Sequence, residues 1–196
     1  MRDVVTADDV RTTPAGGEVH ASAGAIVTPW AREVAATRGV RIVLGGACSV
    51  VIGSDHGGFA LKEELKRHLA QRGEAVRDVG THSTEPVDYP DIAWSVARAV
   101  ASGEARFGVL VDAAGIGSSM AANKVPGARA ALCGDAAAAR NAREHNDANV
   151  LTLGARFVEV ARACEILDVF LTVECTEERH LRRVRKIGAI EEAYRK

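Results

Sequence analysis

Several short stretches of this chain combine side chains that can move protons with side chains that can hold an anion. Ser54-Asp55-His56-Gly57-Gly58 offers a carboxylate and an imidazole beside two glycines. Asp112-Ala113-Ala114-Gly115-Ile116-Gly117-Ser118-Ser119 offers a second carboxylate ahead of a glycine-rich turn, and Gly154-Ala155-Arg156 adds a cation. Gly115 and Gly117 permit close backbone approach, and Ser118 and Ser119 stand near the start of the next helix, whose free N–H groups suit an anion or a developing oxyanion. The same GxG spacing also fits an ordinary tight turn. His145-Asn146-Asp147 places a titratable ring between helix and strand, a setting for acid–base chemistry near neutral pH. Arg179 and Arg183 lie four residues apart on one helix face, which suits two-point binding of a phosphate dianion. With His180, Arg182, Arg185 and Lys186 they also fit a solvated basic face.

The elements that must position these groups follow from periodicity. Apolar runs at Ser49–Gly53, Ala75–Val79, Phe107–Asp112, Ala128–Cys133 and Asn149–Leu153 predict strands, each followed by a segment of helical length. Phe59, Leu61, Leu65 and Leu69 predict a helix over Phe59–Gln71, and further helices are expected over Ile92–Ala101, Ala136–Glu144, Ala161–Leu171 and Glu177–Tyr194. Alternating strands and helices predict an α/β fold: a Rossmann-like, doubly wound, five-stranded parallel sheet. Ligands of such sheets collect at the carboxyl ends of the strands, where Asp55, Asp112 and Arg156 fall.

Residues 1–47 read differently, as an N-terminal extension to a domain of residues 48–196. Thr28 as N-cap, Pro29 at the first helical position and a stop at Arg38-Gly39 predict a helix there. Val40–Leu44 predicts a strand, and Gly45-Gly46 a linker. A segment this short is expected to lack a core of its own and to dock on the main domain or on another protein.

Lys and Arg number 25 against 26 Asp and Glu, a formal charge of −1, and aromatics are 4%. Neither a basic field nor stacking platforms are on offer, which excludes general nucleic-acid binding and leaves any anion to a local cluster. Cys48, Cys133, Cys164 and Cys175 form no CxxC pair and have no His at metal-ligand spacing, so free thiols in a reducing compartment are expected. With no apolar run of membrane-span length and no secretory pattern at the start, the expected location is cytoplasmic.

Taken in order and spacing, Gly53-Ser54-Asp55-His56-Gly57-Gly58-Phe59-Ala60-Leu61-Lys62, Asp78-Val79-Gly80-Thr81, Val87-Asp88-Tyr89-Pro90, Gly115-Ile116-Gly117, Ala121-Ala122-Asn123-Lys124, Arg143-Glu144-His145-Asn146-Asp147-Ala148-Asn149 and Arg179-His180 with Arg183 resemble the ribose-5-phosphate isomerase B and galactose-6-phosphate isomerase family. The resemblance spans about residues 48 to 195. It implies aldose–ketose isomerisation of a phosphorylated sugar through ring opening and an enediolate, without metal or organic cofactor. It also implies a homodimer, or a higher homo-oligomer, in which the long C-terminal helix is exchanged and reaches the partner's site. By the same resemblance His145 opens the ring; Arg156, Arg179 and Arg183, with His56, hold the phosphate; and Asp55 and Tyr89 contact hydroxyls. Asn123 lies in the helix behind the loop. The N–H groups from Gly115 to Ser119, aided by Asn146, receive the enediolate oxygen.

The chain departs from that family at the base. Where members carry a Cys, this sequence has Asp112; a Thr two residues on is Ala114; and the Glu that serves another subgroup is Ser118. Asp112 is then the expected base, and the run Val111–Met120 is similar to the A-type subunit of galactose-6-phosphate isomerase. A sugar-phosphate-binding or partner subunit with weakened catalysis is the alternative. A nucleotide-binding Rossmann domain fits less well, because the first loop is not GxGxxG. Thr6-Ala7-Asp8-Asp9-Val10 and Ile26-Val27-Thr28-Pro29-Trp30-Ala31-Arg32 resemble extensions of bacterial microcompartment enzymes, which implies docking to shell or cargo; a plain stabilising extension fits equally.

Overall fold

Thr6 begins the first helix with a reciprocal cap: its N–H donates to Asp9 Oδ2 at 2.8 Å, and its hydroxyl accepts from Asp9 N–H at 3.4 Å. That arrangement satisfies donors a helix start leaves free. The computed structural model describes residues 4–21, 25–44 and 48–194. Its chain divides into two units, one built on residues up to Ala47 and one on Cys48–Ala101 with Ala105–Lys196.

The first unit contains β1 (Val4–Val5), α1 (Ala7–Arg11), β2 (Glu18–Ala21), β3 (Ile26–Val27), α2 (Pro29–Arg38) and β4 (Arg41–Leu44). β1 pairs with β3 and β2 with β4, both in parallel. The ends of α2 are as the sequence predicts: Thr28 Oγ1 accepts from Ala31 N–H at 3.2 Å, and Gly39 closes the helix at a φ of +64°. The expected linker at Gly45-Gly46 lies outside the described residues. One expectation is revised, because Val5, Val10, Val19, Val27, Ala31 and Val40 are buried against one another in a core of this unit's own. Valine and alanine are small enough to close-pack within so short a segment, where larger side chains would remain uncovered.

The second unit runs β5 (Cys48–Ser54), α3 (Phe59–Gln71), β6 (Val76–Asp78), α4 (Tyr89–Ala101), β7 (Ala105–Asp112), α5 (Ile116–Ala122), β8 (Ala130–Leu132), α6 (Ala136–Asn146), β9 (Val150–Gly154), α7 (Val160–Thr172) and α8 (Glu178–Tyr194). Its five strands are all parallel, in the order β6-β5-β7-β9-β8. Side chains alternate along β7: Val109 and Val111 face the core that includes Leu65, Leu69, Ile166 and Phe170, and Leu110 faces the core that includes Val96, Ala97 and Ala122. Both faces are covered, as a parallel sheet requires. After β5 the chain leaves to one side to form β6, then returns to the other side for β7. The crevice between the ends of β5 and β7 is therefore the switch point, where such sheets bind ligands.

Lys62 departs from the usual placement of a lysine. It is 0% exposed within α3, and its Nζ donates to Asp78 Oδ2 and to the Thr81 carbonyl, each at 2.7 Å. Lys66 approaches the same Asp78 oxygen at 2.6 Å, and Gly80 N–H donates to Oδ1 at 2.9 Å. Burial pushes the Asp78 carboxyl up, but the hydrogen bonds from Lys62, Lys66 and Gly80 outweigh it and hold the group below its ordinary value. Because the folded-state value is the lower one, the stability contributed is present above the ordinary carboxylate range and is lost as pH falls below about 4. Lys62→Met is expected to cost about 1–3 kcal/mol, since it leaves the Thr81 carbonyl without its donor and takes one of several partners from the partly buried Asp78. Urea unfolding at neutral pH checks this, and a loss under 1 kcal/mol would contradict it.

Candidate active site

At the end of β7 the loop into α5 folds around the side chain of Asp112. Oδ1 accepts from Ala114 N–H at 2.7 Å and also from Gly115 N–H; Oδ2 accepts from Ser118 N–H at 3.1 Å and from the Ser118 hydroxyl. Asp112 is buried, at 5% exposure, and both of its oxygens are engaged by its own loop. Gly115 sits at a φ of +75°, and a Cβ there would meet Leu132 Cδ1 at 2.5 Å and Gly154 N at 3.0 Å, so only glycine fits. Gly117 lies against the Tyr89 ring: a Cβ would come within 2.6 Å of its Cζ. Gly154 brings β9 against the same loop, and Arg156 N–H donates to the Ala113 carbonyl at 3.1 Å.

Two expectations about this loop change. The N–H groups of Gly115 and Ser118 already serve Asp112, and Ser119 N–H donates to the Gly115 carbonyl at 3.2 Å, so none of these three awaits an enediolate oxygen. Asp112 stands at the strand end as expected, yet the lone pairs a base would use already accept hydrogen bonds. Its carboxylate anchors the loop.

The β5 end forms the other wall. Asp55 N–H donates to the Val111 carbonyl at 3.2 Å, and Asp55 Oδ1 accepts from Gly58 N–H at 2.9 Å. Gly58 passes so close to β7 that a Cβ would lie 2.1 Å from the Val111 carbonyl oxygen. His56 Nδ1 accepts from Val87 N–H at 3.4 Å, which leaves Nε2 to carry the ring N–H. Tyr89 is 40% exposed, and Arg156 is exposed.

The remaining candidates gather elsewhere. His145 and Asn146 end α6, where Asp147 takes a left-handed conformation at φ 46°. That turn is fixed by two arginines. Buried Arg143 donates to Asp147 Oδ1 at 2.8 Å, to the Ala148 carbonyl at 2.6 Å and to the Val173 carbonyl at 3.1 Å, with its guanidinium over Phe107. Arg129 donates to Asp147 Oδ2 at 2.8 Å. His145 Nδ1 lies 3.0 Å from Asn141 Nδ2, and its ring stacks on His180 of α8 at 4.2 Å between centroids. Burial, with His145 and Arg179 nearby, lowers the His180 pKa and favours a neutral ring. Arg179 is held by Glu177 at 2.8 Å, and Arg183 is exposed beyond it.

The two groups lie at opposite edges of the sheet. α6 ends where β9 begins, and Asp112 pairs with Gly154 where β9 ends, whereas Gly108 pairs with Val150 at its start. Four residue steps of strand at ~3.3 Å separate those levels by roughly 13 Å, before the reach of the α6 end is added. Asp55, His56, Tyr89, Asp112, Gly115, Gly117, Ser118, Ser119 and Arg156 share the edge where strands finish; His145, Asn146, Arg179 and Arg183 share the edge where they start. One chain does not bring the two sets together. The sequence reading missed the anchoring roles of Arg143 and Lys62; for Arg143, the spacing of four to Asp147 across a helix end was the available signal.

The chain matches the model of the Ribose/Galactose Isomerase family over residues 50–187. It is similar to ribose-5-phosphate isomerase B of Escherichia coli, 46% identical over 143 residues, covering 73% of this chain and 96% of that protein. Among solved structures it is similar to Clostridium thermocellum ribose-5-phosphate isomerase B, at 51% identity and a TM-score of 0.73, covering 74% of this chain and 99% of the other. It is also similar to Mycoplasma genitalium ribose-5-phosphate isomerase B with bound ribulose-5-phosphate, at 40% identity and a TM-score of 0.70, covering 73% and 95%. With the parallel sheet, the glycine-lined crevice and these matches in agreement, the chain belongs to the ribose/galactose isomerase family.

Proposed function

We propose that this protein is an aldose–ketose isomerase that interconverts ribose 5-phosphate and ribulose 5-phosphate, a reaction of pentose phosphate metabolism, by proton transfers alone. Its active unit is a homodimer with composite sites. The observation that carries the dimer is the division of the site residues between the two edges of the sheet. A second copy can present its His145, Asn146, Arg179 and Arg183 to the crevice that holds Asp55, His56, Tyr89 and Arg156. Exposed Ile116, Met120 and Phe157 beside that crevice, and Ile187 and Ile190 on α8, supply apolar surface for such an interface. In this arrangement His145 moves the proton that opens the furanose, Arg156, Arg179 and Arg183 with His56 hold the phosphate, Asp55 and Tyr89 meet hydroxyls, and Asn146 donates to the enediolate oxygen. The engaged Asp112 favours a second reading, a subunit that binds sugar phosphate but turns it over weakly.

NMR of the purified chain with ribose 5-phosphate is expected to show ribulose 5-phosphate forming, together with a thermal shift on binding. Binding without turnover would favour the second reading, and no shift with any aldose phosphate would sink both. Residues 1–47 act as a docking segment for shell or cargo of a bacterial microcompartment in the cytoplasm, a role supported by the exposed Ile26 and Trp30.

A further inference from the structure

Isomerisation needs a base to carry a proton between adjacent carbons, and Asp112 has no lone pair left for it. At the same edge, Cys133 is fully buried, and burial with Asp135 nearby pushes its thiol up to about 11, so no thiolate stands ready there. His56 accepts at Nδ1 from Val87 and therefore presents a donor. Asp55 differs from each of these. Only its Oδ1 is engaged, by Gly58 N–H; among the described residues Oδ2 accepts no hydrogen bond, and it is not one of the sealed, partnerless oxygens. Asp55 follows Ser54, which pairs with Val111, so Asp55 and Asp112 start from adjacent backbone positions on strands about 4.8 Å apart. A base located at Asp55 enters the same crevice as one at Asp112.

We propose that Asp55 is the catalytic base of this protein and that Asp112 is a positioning residue that shapes the loop opposite. The proposal rests on the isomerase reading. Asp55 Oδ2 takes the proton from C2 of the opened aldose, the C2–H electron pair becomes the C1=C2 bond, and O1 takes the negative charge. The proton on O2 passes to O1, C2=O forms, and the Asp55 carboxyl returns its proton to C1. One hydrogen has moved from C2 to C1 and one from O2 to O1; nothing is oxidised or reduced overall.

The test follows solvent deuterium entering the carbon-bound positions of ribose 5-phosphate. Asp55→Asn keeps an acceptor for Gly58 N–H and is expected to slow incorporation at least 100-fold, while ribose 5-phosphate still raises the melting temperature. Asp55→Ser, which also keeps an acceptor, should lose incorporation equally. Asp112→Asn, which turns one of the two accepting oxygens into a donor, should lower the melting temperature and still exchange at least about tenfold faster than either Asp55 variant. Incorporation near the wild-type rate in both Asp55 variants, or loss confined to folded Asp112→Asn, overturns the assignment. A wild-type chain that neither exchanges nor isomerises refutes the isomerase reading itself, which is a different outcome.

Discussion

His145→Ala is expected to slow turnover of ribose 5-phosphate by roughly two to four orders of magnitude, the range for loss of a positioned acid–base group. The imidazole is unusually well fixed for a side chain at a helix end. Asn141 lies 3.0 Å from Nδ1, and the His180 ring covers one face. If Asn141 donates through its amide, Nδ1 accepts and Nε2 carries the proton that the ring oxygen needs. The backbone beneath is held by Arg143 and Arg129 on Asp147. A four-carbon aldose 4-phosphate has no hydroxyl free to close a five-membered ring and bypasses this step. Comparing the two substrates supplies the check: the ribose 5-phosphate rate should fall far more than the four-carbon rate. Equal losses would place His145 in the proton transfer between carbons, or in binding.

Removing the chain from Thr176 onward should abolish detectable turnover. The deletion takes Arg179 and Arg183, uncovers the His145 ring and breaks the 2.9 Å hydrogen bond from Gly127 N–H to Glu191. Hydrogen bonds to charged groups contribute about 1.5–3 kcal/mol each, so two lost phosphate contacts weaken binding by roughly 10²–10⁴. The double variant Arg179→Ala with Arg183→Ala separates charge from packing, since it should raise KM by that factor while leaving the proposed dimer intact. The truncated chain should be monomeric by sedimentation. A truncated chain that remained dimeric and bound ribose 5-phosphate normally would remove α8 from the site.

How far the sequence carries the argument differs by element. The parallel sheet was legible because five apolar runs alternate with helical stretches, and that alternation has few topologies. The α2 ends were legible because Thr28, Pro29 and Gly39 each have a local reason to stand where they do. The α1 helix was passed over: its five residues are fewer than a periodicity needs, and its cap uses Asp9 where a capping box more often has Glu or Gln. The burial of Lys62 was not legible, because it depends on Asp78 and Thr81 from a different segment. The hydrogen bonds around Asp112 come from loop geometry that no spacing rule contains. The split of His145 from Asp112 was implicit in the topology, since a residue ending a crossover helix lies where the next parallel strand starts.

That split has a genetic consequence. Two inactive alleles with lesions at opposite edges, Asp55→Asn in one and His145→Ala in the other, should complement when their products mix. If each site draws one edge from each chain, as in the dimer proposed above, a mixed dimer has one site that collects both lesions and one that collects neither. Random pairing makes half of the dimers mixed, so about one quarter of all sites would be intact. Co-expressing the two chains under different affinity tags and assaying the doubly selected fraction should return activity that neither chain has alone. Two alleles with lesions at the same edge, Asp55→Asn and Arg156→Ala, should not complement at all.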